Sequence, residues 1–201
     1  KTPKNAISLI LEYENYKLIN YYFKKSTVYN NPLSYNLAES LKNTENHSIN
    51  TLYNFTKKLL NKEDILMTKL VEYYMILYNS LGAKILYNYD INTILRTHSC
   101  NGFIDESTEL SKYLSILNKN AAKYECNPSN TNHSDLDLIY YSHITSPIRR
   151  HVDIINQINI LNFLKNQPII STTYLDNINI FNKNLRKFYN DYKKLKLLYT
   201  I

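Results

Sequence analysis

One stretch restricts the fold more than any other: "KEDILMTKLVEYYMILYNSLGAKILYNY", residues 62–89. Its spacing predicts a helix from about Glu63 to Tyr89. The apolar positions Ile65, Leu66, Leu70, Val71, Tyr74, Met75, Leu77, Tyr78, Leu81 and Ile85 cover more than one face. A helix apolar over so wide an arc is expected in the middle of a domain, with other elements packed around it.

Several such elements are legible. Residues 6–13 and 18–29 are rich in Ile, Leu and Tyr and are joined by the short polar link "ENYK", which predicts two strands in a hairpin. Pro32 blocks a helix before it, Ser34 is a cap, and a helix is expected to begin near Tyr35. Residues 49–60 place Ile49, Leu52, Tyr53, Leu59 and Leu60 along one face of an amphipathic helix. Residues 91–98 are β-branched and short, so a strand is expected there; 105–124 read as an interrupted helix and 127–135 as a loop. Residues 147–165 read as a helix that Pro168 ends, followed by a last helix over 173–199. The fold class expected is α+β, mostly helical, with a short N-terminal strand pair and no repeat or second domain.

The chain carries a net charge of +7, which favours a polyanionic partner. Its 20 tyrosines strengthen that only weakly, because Tyr, Asn, Ile and Lys share A/T-rich codons. No apolar run approaches the ~20 residues needed to span a bilayer, so no membrane partner is expected. Cys100 and Cys126 are far apart and outside any paired ligand spacing, consistent with a reducing, cytoplasmic setting. His47, His98, His133, His143 and His151 form no zinc pattern, and no metal ligand is assigned within the chain. The chain opens at Lys1 without a secretory signal, which suggests a piece of a longer polypeptide.

The densest chemistry lies in "YYSHITSPIRRHVD", residues 140–153. Ser146 before Pro147 reads as a helix start, which would put Arg149 and Arg150 in the first turn. Free N–H groups and the helix dipole make such a turn an anion site, and a guanidinium fork grips two phosphate oxygens at once. Asp153, four residues after Arg149 and three after Arg150, is placed to hold one guanidinium. Ile148, Ile155 and Ile158 are the apolar contacts expected to seat the helix. Cationic charge at a helix start is mildly unfavourable, by about 0.3–1 kcal/mol, so two arginines there want a bound anion as their reason.

This segment resembles the signature of the RNB domain, the catalytic domain of the ribonuclease II and ribonuclease R exoribonucleases and of the exosome nuclease subunit, whose usual form is Y-x-H-F-T-S-P-I-R-R-Y-x-D-L. Tyr141, His143, Thr145, Ser146, Pro147, Ile148, Arg149, Arg150 and Asp153 match, and His133 and Leu138 fit the approach to it. "KLVEYYMILYNSLGAKIL" (69–86) is similar to a family helix L-V-E-E-x-M-x-L-A-N, with Val71, Glu72, Met75 and Asn79 matching. "LRTH" (95–98) is similar to Y-R-V-H, and 24–41 to the segment containing L-T-Y. The resemblance makes residues 1–201 the C-terminal portion of a single RNB-like catalytic domain.

The resemblance implies degradation of single-stranded RNA from its 3′ end to nucleoside monophosphates. It puts Arg149 at the scissile phosphate, with Arg150 either gripping a neighbouring phosphate or pairing with Asp153. Tyr35 matches a tyrosine that stacks on a base near the 3′ end, and Glu72 a glutamate that contacts ribose. Asp191 is the nearest carboxylate to a further glutamate of the last helix, with Asn190 competing for that place. Asp153, Ser146 and His143 are the supporting residues. The Mg²⁺ ions of the reaction are held by an aspartate cluster that lies upstream and is not in this chain. Its partners would be single-stranded RNA and the remainder of the same polypeptide or a complementary subunit.

Three departures stand out. Tyr73 replaces a second glutamate, the stretch between Tyr35 and Glu72 is short, and Asn156-Gln157-Ile158 replaces a usual H-R that is expected to touch the phosphate backbone. Two rival readings therefore stand beside the exoribonuclease: a catalytically inactive RNB-like RNA-binding or scaffold subunit, and a helical protein whose basic surface meets an acidic partner.

Overall fold

The computed structural model describes residues 2–45, 47–91, 93–98, 122–168 and 175–198. Strands β1 (Lys4–Glu14) and β2 (Lys17–Val28) form the antiparallel hairpin expected from the Ile-, Leu- and Tyr-rich runs and their short polar link, in register from Lys4↔Val28 to Glu14↔Lys17 with an irregularity between Glu12 and Tyr13. Its two-residue turn places Asn15 and Tyr16 at φ 49° and 63°, the left-handed pair that matches the twist of a hairpin. One face carries Ile7, Leu9, Tyr21 and Phe23 into the core; Phe23 is 6 % exposed.

Helix α1 (Tyr35–Leu41) starts where Ser34 Oγ accepts from Leu37 N at 3.2 Å. Helix α2 (Ser48–Leu59) is capped by His47, whose Nδ1 accepts from Ile49 N at 3.2 Å. The long helix α3 runs over Met67–Asn88, four residues later than expected from Glu63. Ile65 is buried ahead of it with Tyr53, Met67 and Leu70, and this small cluster holds α2 on α3. The expectation of cover all round fails in its first half: Val71 is 45 % and Met75 37 % exposed. The second half is deeply packed. A Cβ on Gly82 would lie 2.8 Å from Ile144 Cδ1 and 3.2 Å from Phe23 Cζ, so glycine lets α3 lie close to both the hairpin and the 140–150 segment without displacing those side chains.

Strand β3 (Ile94–Thr97) pairs antiparallel with β4 (Lys123–Cys126), Ile94↔Cys126 to Thr97↔Lys123. The strand expected over 91–98 is thus real but shorter. The helix expected over 105–124 lies outside the described residues up to 121; its last two positions belong to β4 instead. Residues 127–135 are loop up to the short 3-10 turn Ser134–Leu136. Helix α4 covers His151–Phe163 and helix α5 Leu175–Leu198.

The helix expected from Pro147 is corrected: α4 begins four residues later. Ser146 O accepts from both Arg149 N (3.3 Å) and Arg150 N (3.2 Å), closing a turn with Pro147 at its second position. Arg150 then takes extended backbone angles, φ −131° and ψ 117°, and the helix starts afresh behind it. Two clusters flank this junction. Ile85, Leu86, Ile91, Ile144 and Ile160 join Phe23 on one side, and Ile94, Tyr124, Val152, Ile155 and Leu175 pack on the other. Free Cys126 packs against the second cluster; Cys100 lies outside the described residues.

Candidate nucleic-acid interface

The segment 140–150 lies along β3, with Arg96 N donating to Tyr141 O at 2.8 Å and Leu95 bridged to Ser142. Two buried asparagines fix it. Asn79 of α3, 1 % exposed, accepts from Ile144 N at 3.0 Å and turns its amino group towards Tyr141 Oη at 3.4 Å. Asn156 of α4, fully buried, accepts from Ile94 N at 3.2 Å. Its amino group faces Ser142 Oγ (2.7 Å), His143 O (3.1 Å) and Ile94 O (3.2 Å). Gln157 donates to Ile144 O at 2.6 Å. Asn156 and Gln157, which stand where the family's H-R is replaced, are therefore engaged with β3 and the 140–150 segment. Buried polar groups cost about 1–3 kcal/mol when left unpaired, so these amides specify one position for the segment.

The arginine turn separates its two cations. Arg150 donates from Nε to Asp153 Oδ2 at 2.7 Å and from Nη2 to Asp153 Oδ1 at 2.8 Å. Asp153 is fully buried and also accepts from Ser146 N at 2.6 Å. Burial alone would lower the Arg150 pKa; the hydrogen bonds and charge of Asp153 outweigh it and hold it above its ordinary value. Ser146 thus acts through its backbone, not through the hydroxyl cap expected of it. Ile148 is 102 % exposed and seats nothing, while Ile155 is buried as expected. Arg149 is exposed, and its side chain has no ion-pair partner among the described residues.

Behind the arginines stands a ring cluster. Tyr124 Oη and His143 Nδ1 share a hydrogen bond of 2.6 Å, and Tyr141 meets His143 and His133 edge to face. The Arg96 guanidinium lies 5.2 Å over the Tyr124 ring. Burial first, then the charges of Arg150 and Arg96, push the His143 pKa down to about 3. The folded protein therefore keeps His143 neutral where the unfolded chain, near 6.5, protonates it. The unfolded state binds the extra proton between those values, so stability is full above about pH 6.5 and falls as pH drops towards 3. Urea midpoints measured across that window are expected to decline, and to decline less steeply in His143→Gln; equal slopes would remove the buried imidazole as the cause. Burial, and then Arg96 and His98, also hold the His133 pKa below its ordinary value.

Arg149 lines a groove of about 420 Å³ between the turn and α5, together with Tyr124, Arg150, His151, Phe181 and Leu185. A more voluminous cavity, about 860 Å³, lies between the hairpin and α4 and is lined by Ile7, Lys25, Tyr78, Gln157 and Lys165. It has one side of extended strand and none of the motif arginines, so the smaller groove is the better anion seat. The other residues singled out in the sequence stand apart from it. Tyr35 is the first residue of α1, 52 % exposed. Glu72 is exposed on α3 and paired with Lys69 at 2.7 Å. Asp191 and Asn190 are exposed on the outer part of α5. None of these four lines the groove. Sequence reasoning missed Arg96, Tyr124 and the structural work of Asn79 and Asn156; the match of "LRTH" and of Asn79 to the family pattern was the only signal.

No group of three or more His, Cys, Asp or Glu that would hold a metal occurs among the described residues. Nor is any described helix long and apolar enough to cross a membrane.

A family model for the RNB domain matches residues 33–166. No curated protein matches the sequence. Among solved structures, the chain is similar to yeast Ssd1, described as a pseudonuclease, at a TM-score of 0.66 and 13 % identity over 89 % of this chain and 31 % of that one. It is also similar to Mycoplasma genitalium RNase R in its apo form, at a TM-score of 0.62 and 14 % identity, covering 81 % and 37 % of the two chains. The complex of that enzyme with ribose-methylated single-stranded RNA gives a TM-score of 0.61 at 14 % identity and the same coverage. The chain thus spans about a third of the length of these structures.

Proposed function

Because the chain belongs to the RNB domain family, we propose that it is the phosphate-gripping part of an intracellular 3′→5′ exoribonuclease acting on single-stranded RNA. The observation that carries this reading is the division of labour at the turn. Arg150 is committed to Asp153, while Arg149 stands exposed at a groove and has no ion-pair partner among the described residues. A planar guanidinium so placed takes the non-bridging oxygens of a phosphodiester and stabilises charge as the bond is cut. Arg150 keeps the turn in shape and adds positive potential behind it. Tyr35 stacks on a base near the 3′ end, and Glu72, released from Lys69, accepts from a ribose hydroxyl. Asp191 is a weaker candidate for holding the terminal nucleotides. Mg²⁺ does not fit the described residues, so no step is assigned to it; its ligands are placed outside this chain, in the rest of the polypeptide or a complementary subunit.

The second reading is an inactive RNA-binding or scaffold member of the family. Tyr73 in place of a second family glutamate favours it, as does the likeness to a protein described as a pseudonuclease. Incubating the full-length protein with Mg²⁺ and 5′-labelled single-stranded RNA separates the two. The nuclease reading expects a ladder that shortens from the 3′ end. Binding without any shortening would establish the second reading. Neither binding nor cleavage at low salt would sink both and leave a basic surface for an acidic partner.

A further inference from the structure

The groove at Arg149 does not end at Tyr124. Tyr124 and Asn182 also line a second groove, of about 340 Å³, on the far side, together with Arg96, Asn179, Lys183 and Arg186. Its geometry is set by one side chain. Asn179 of α5 clamps the backbone of Tyr124, accepting from its N at 2.9 Å and donating to its O at 2.8 Å. Lys183 and Arg186, four and seven residues on, follow on the same helix face. They are thereby brought beside Arg96, which reaches in from β3 over the Tyr124 ring. A further cation at the rim, Lys123, is neutralised by Glu125 at 2.8 Å. Arg96, Lys183 and Arg186 have no carboxylate partner among the described residues.

Three cations from two separate elements converge here without a paired carboxylate among the described residues, at a cost in mutual repulsion that a bound anion removes. We propose that this second groove is a further phosphate subsite, which holds the backbone of the same RNA strand beyond the phosphate at Arg149. It rests on the RNA-handling reading above and extends it to a defined path: Arg149, across Tyr124, to Arg96, Lys183 and Arg186. The apolar surface beside the cations selects nucleic acid over an acidic peptide. Phe181 is 64 % exposed at the first groove and Ile180 58 % exposed at the second, flat or apolar surface that a base covers and a carboxylate side chain does not.

The test is the salt dependence of binding of a fluorescent poly-uridine oligonucleotide to the full-length protein, in the wild type and in a Lys183→Ala/Arg186→Ala double variant. Both side chains are exposed, so folding is preserved and is checked by thermal melting. Each phosphate contact on a single strand contributes about 0.7 to the slope of log K against log salt. The double variant is expected to lower the slope by about 1.4, an exposed Lys58→Ala/Lys62→Ala control by nothing, and Arg149→Ala by a further 0.7 or so when combined. An unchanged slope in the double variant, with wild-type binding intact, overturns the second subsite and leaves the RNA reading standing. No wild-type binding at low salt overturns both. Loss of polyglutamate binding in the double variant, with RNA binding unaffected, overturns the proposal in favour of an acidic protein partner.

Discussion

On the proposed exoribonuclease reading, Arg149→Ala in the full-length protein is expected to slow RNA degradation by about 10²–10³-fold, the cost of deleting one group aimed at developing charge. Stability should stay within about 0.5 kcal/mol of the wild type, because the side chain is exposed and pairs with nothing among the described residues. Affinity for RNA should fall far less than turnover, since one phosphate contact among several is lost. Arg149→Lys keeps the charge but not the planar fork, and should recover only part of the rate. Single-turnover assays at saturating protein separate these effects. Unchanged turnover in Arg149→Ala would remove the residue from the chemistry altogether.

Asp153→Asn is expected to act in the opposite way, through folding. The carboxylate is fully buried and receives three hydrogen bonds, two from Arg150 and one from Ser146 N. Neutralising it strands a guanidinium whose side chain is only 23 % exposed. Breaking a buried pair from one side costs about 3–5 kcal/mol, which is a large share of the stability of a typical domain. Replacing both members, as Arg150→Met/Asp153→Leu, should recover much of that loss while leaving Ser146 N without its acceptor. Urea denaturation of the two variants makes the comparison. A single variant as stable as the wild type would mean that Arg150 finds another anion or water.

The contrast between these neighbours shows where sequence reasoning reaches its end. Ile-, Leu- and Tyr-rich runs around a short polar link were enough for the β1–β2 hairpin, and Pro32 with Ser34 was enough for the start of α1. The Arg150–Asp153 pair was one of two options visible in the spacing, and the structure contains it. The break at 147–150 was not visible, because Ser-Pro followed by an apolar rhythm is also how a helix begins. What interrupts it is a buried carboxylate that gathers Ser146 N and the Arg150 side chain across several residues. Asn79 and Asn156 were equally opaque. Amides on helices read as surface, and only tertiary contact with β3 and Ile144 turns them inward. Arg96 lies about ninety residues before Lys183 and Arg186 in the chain. No local pattern announces that the Asn179 clamp brings them together.

The two asparagines that seat the motif have a consequence for how this protein meets its surroundings. An amide carries no net charge at any pH a cell reaches, and added electrolyte does not mask its dipole-to-dipole contacts as it masks exposed ion pairs. The seating of Ile144 and β3 on these two amides is therefore expected to be the same in dilute and concentrated media. On the proposed RNA-binding reading, a strand displaced by salt leaves that seating in place, ready to be refilled on dilution.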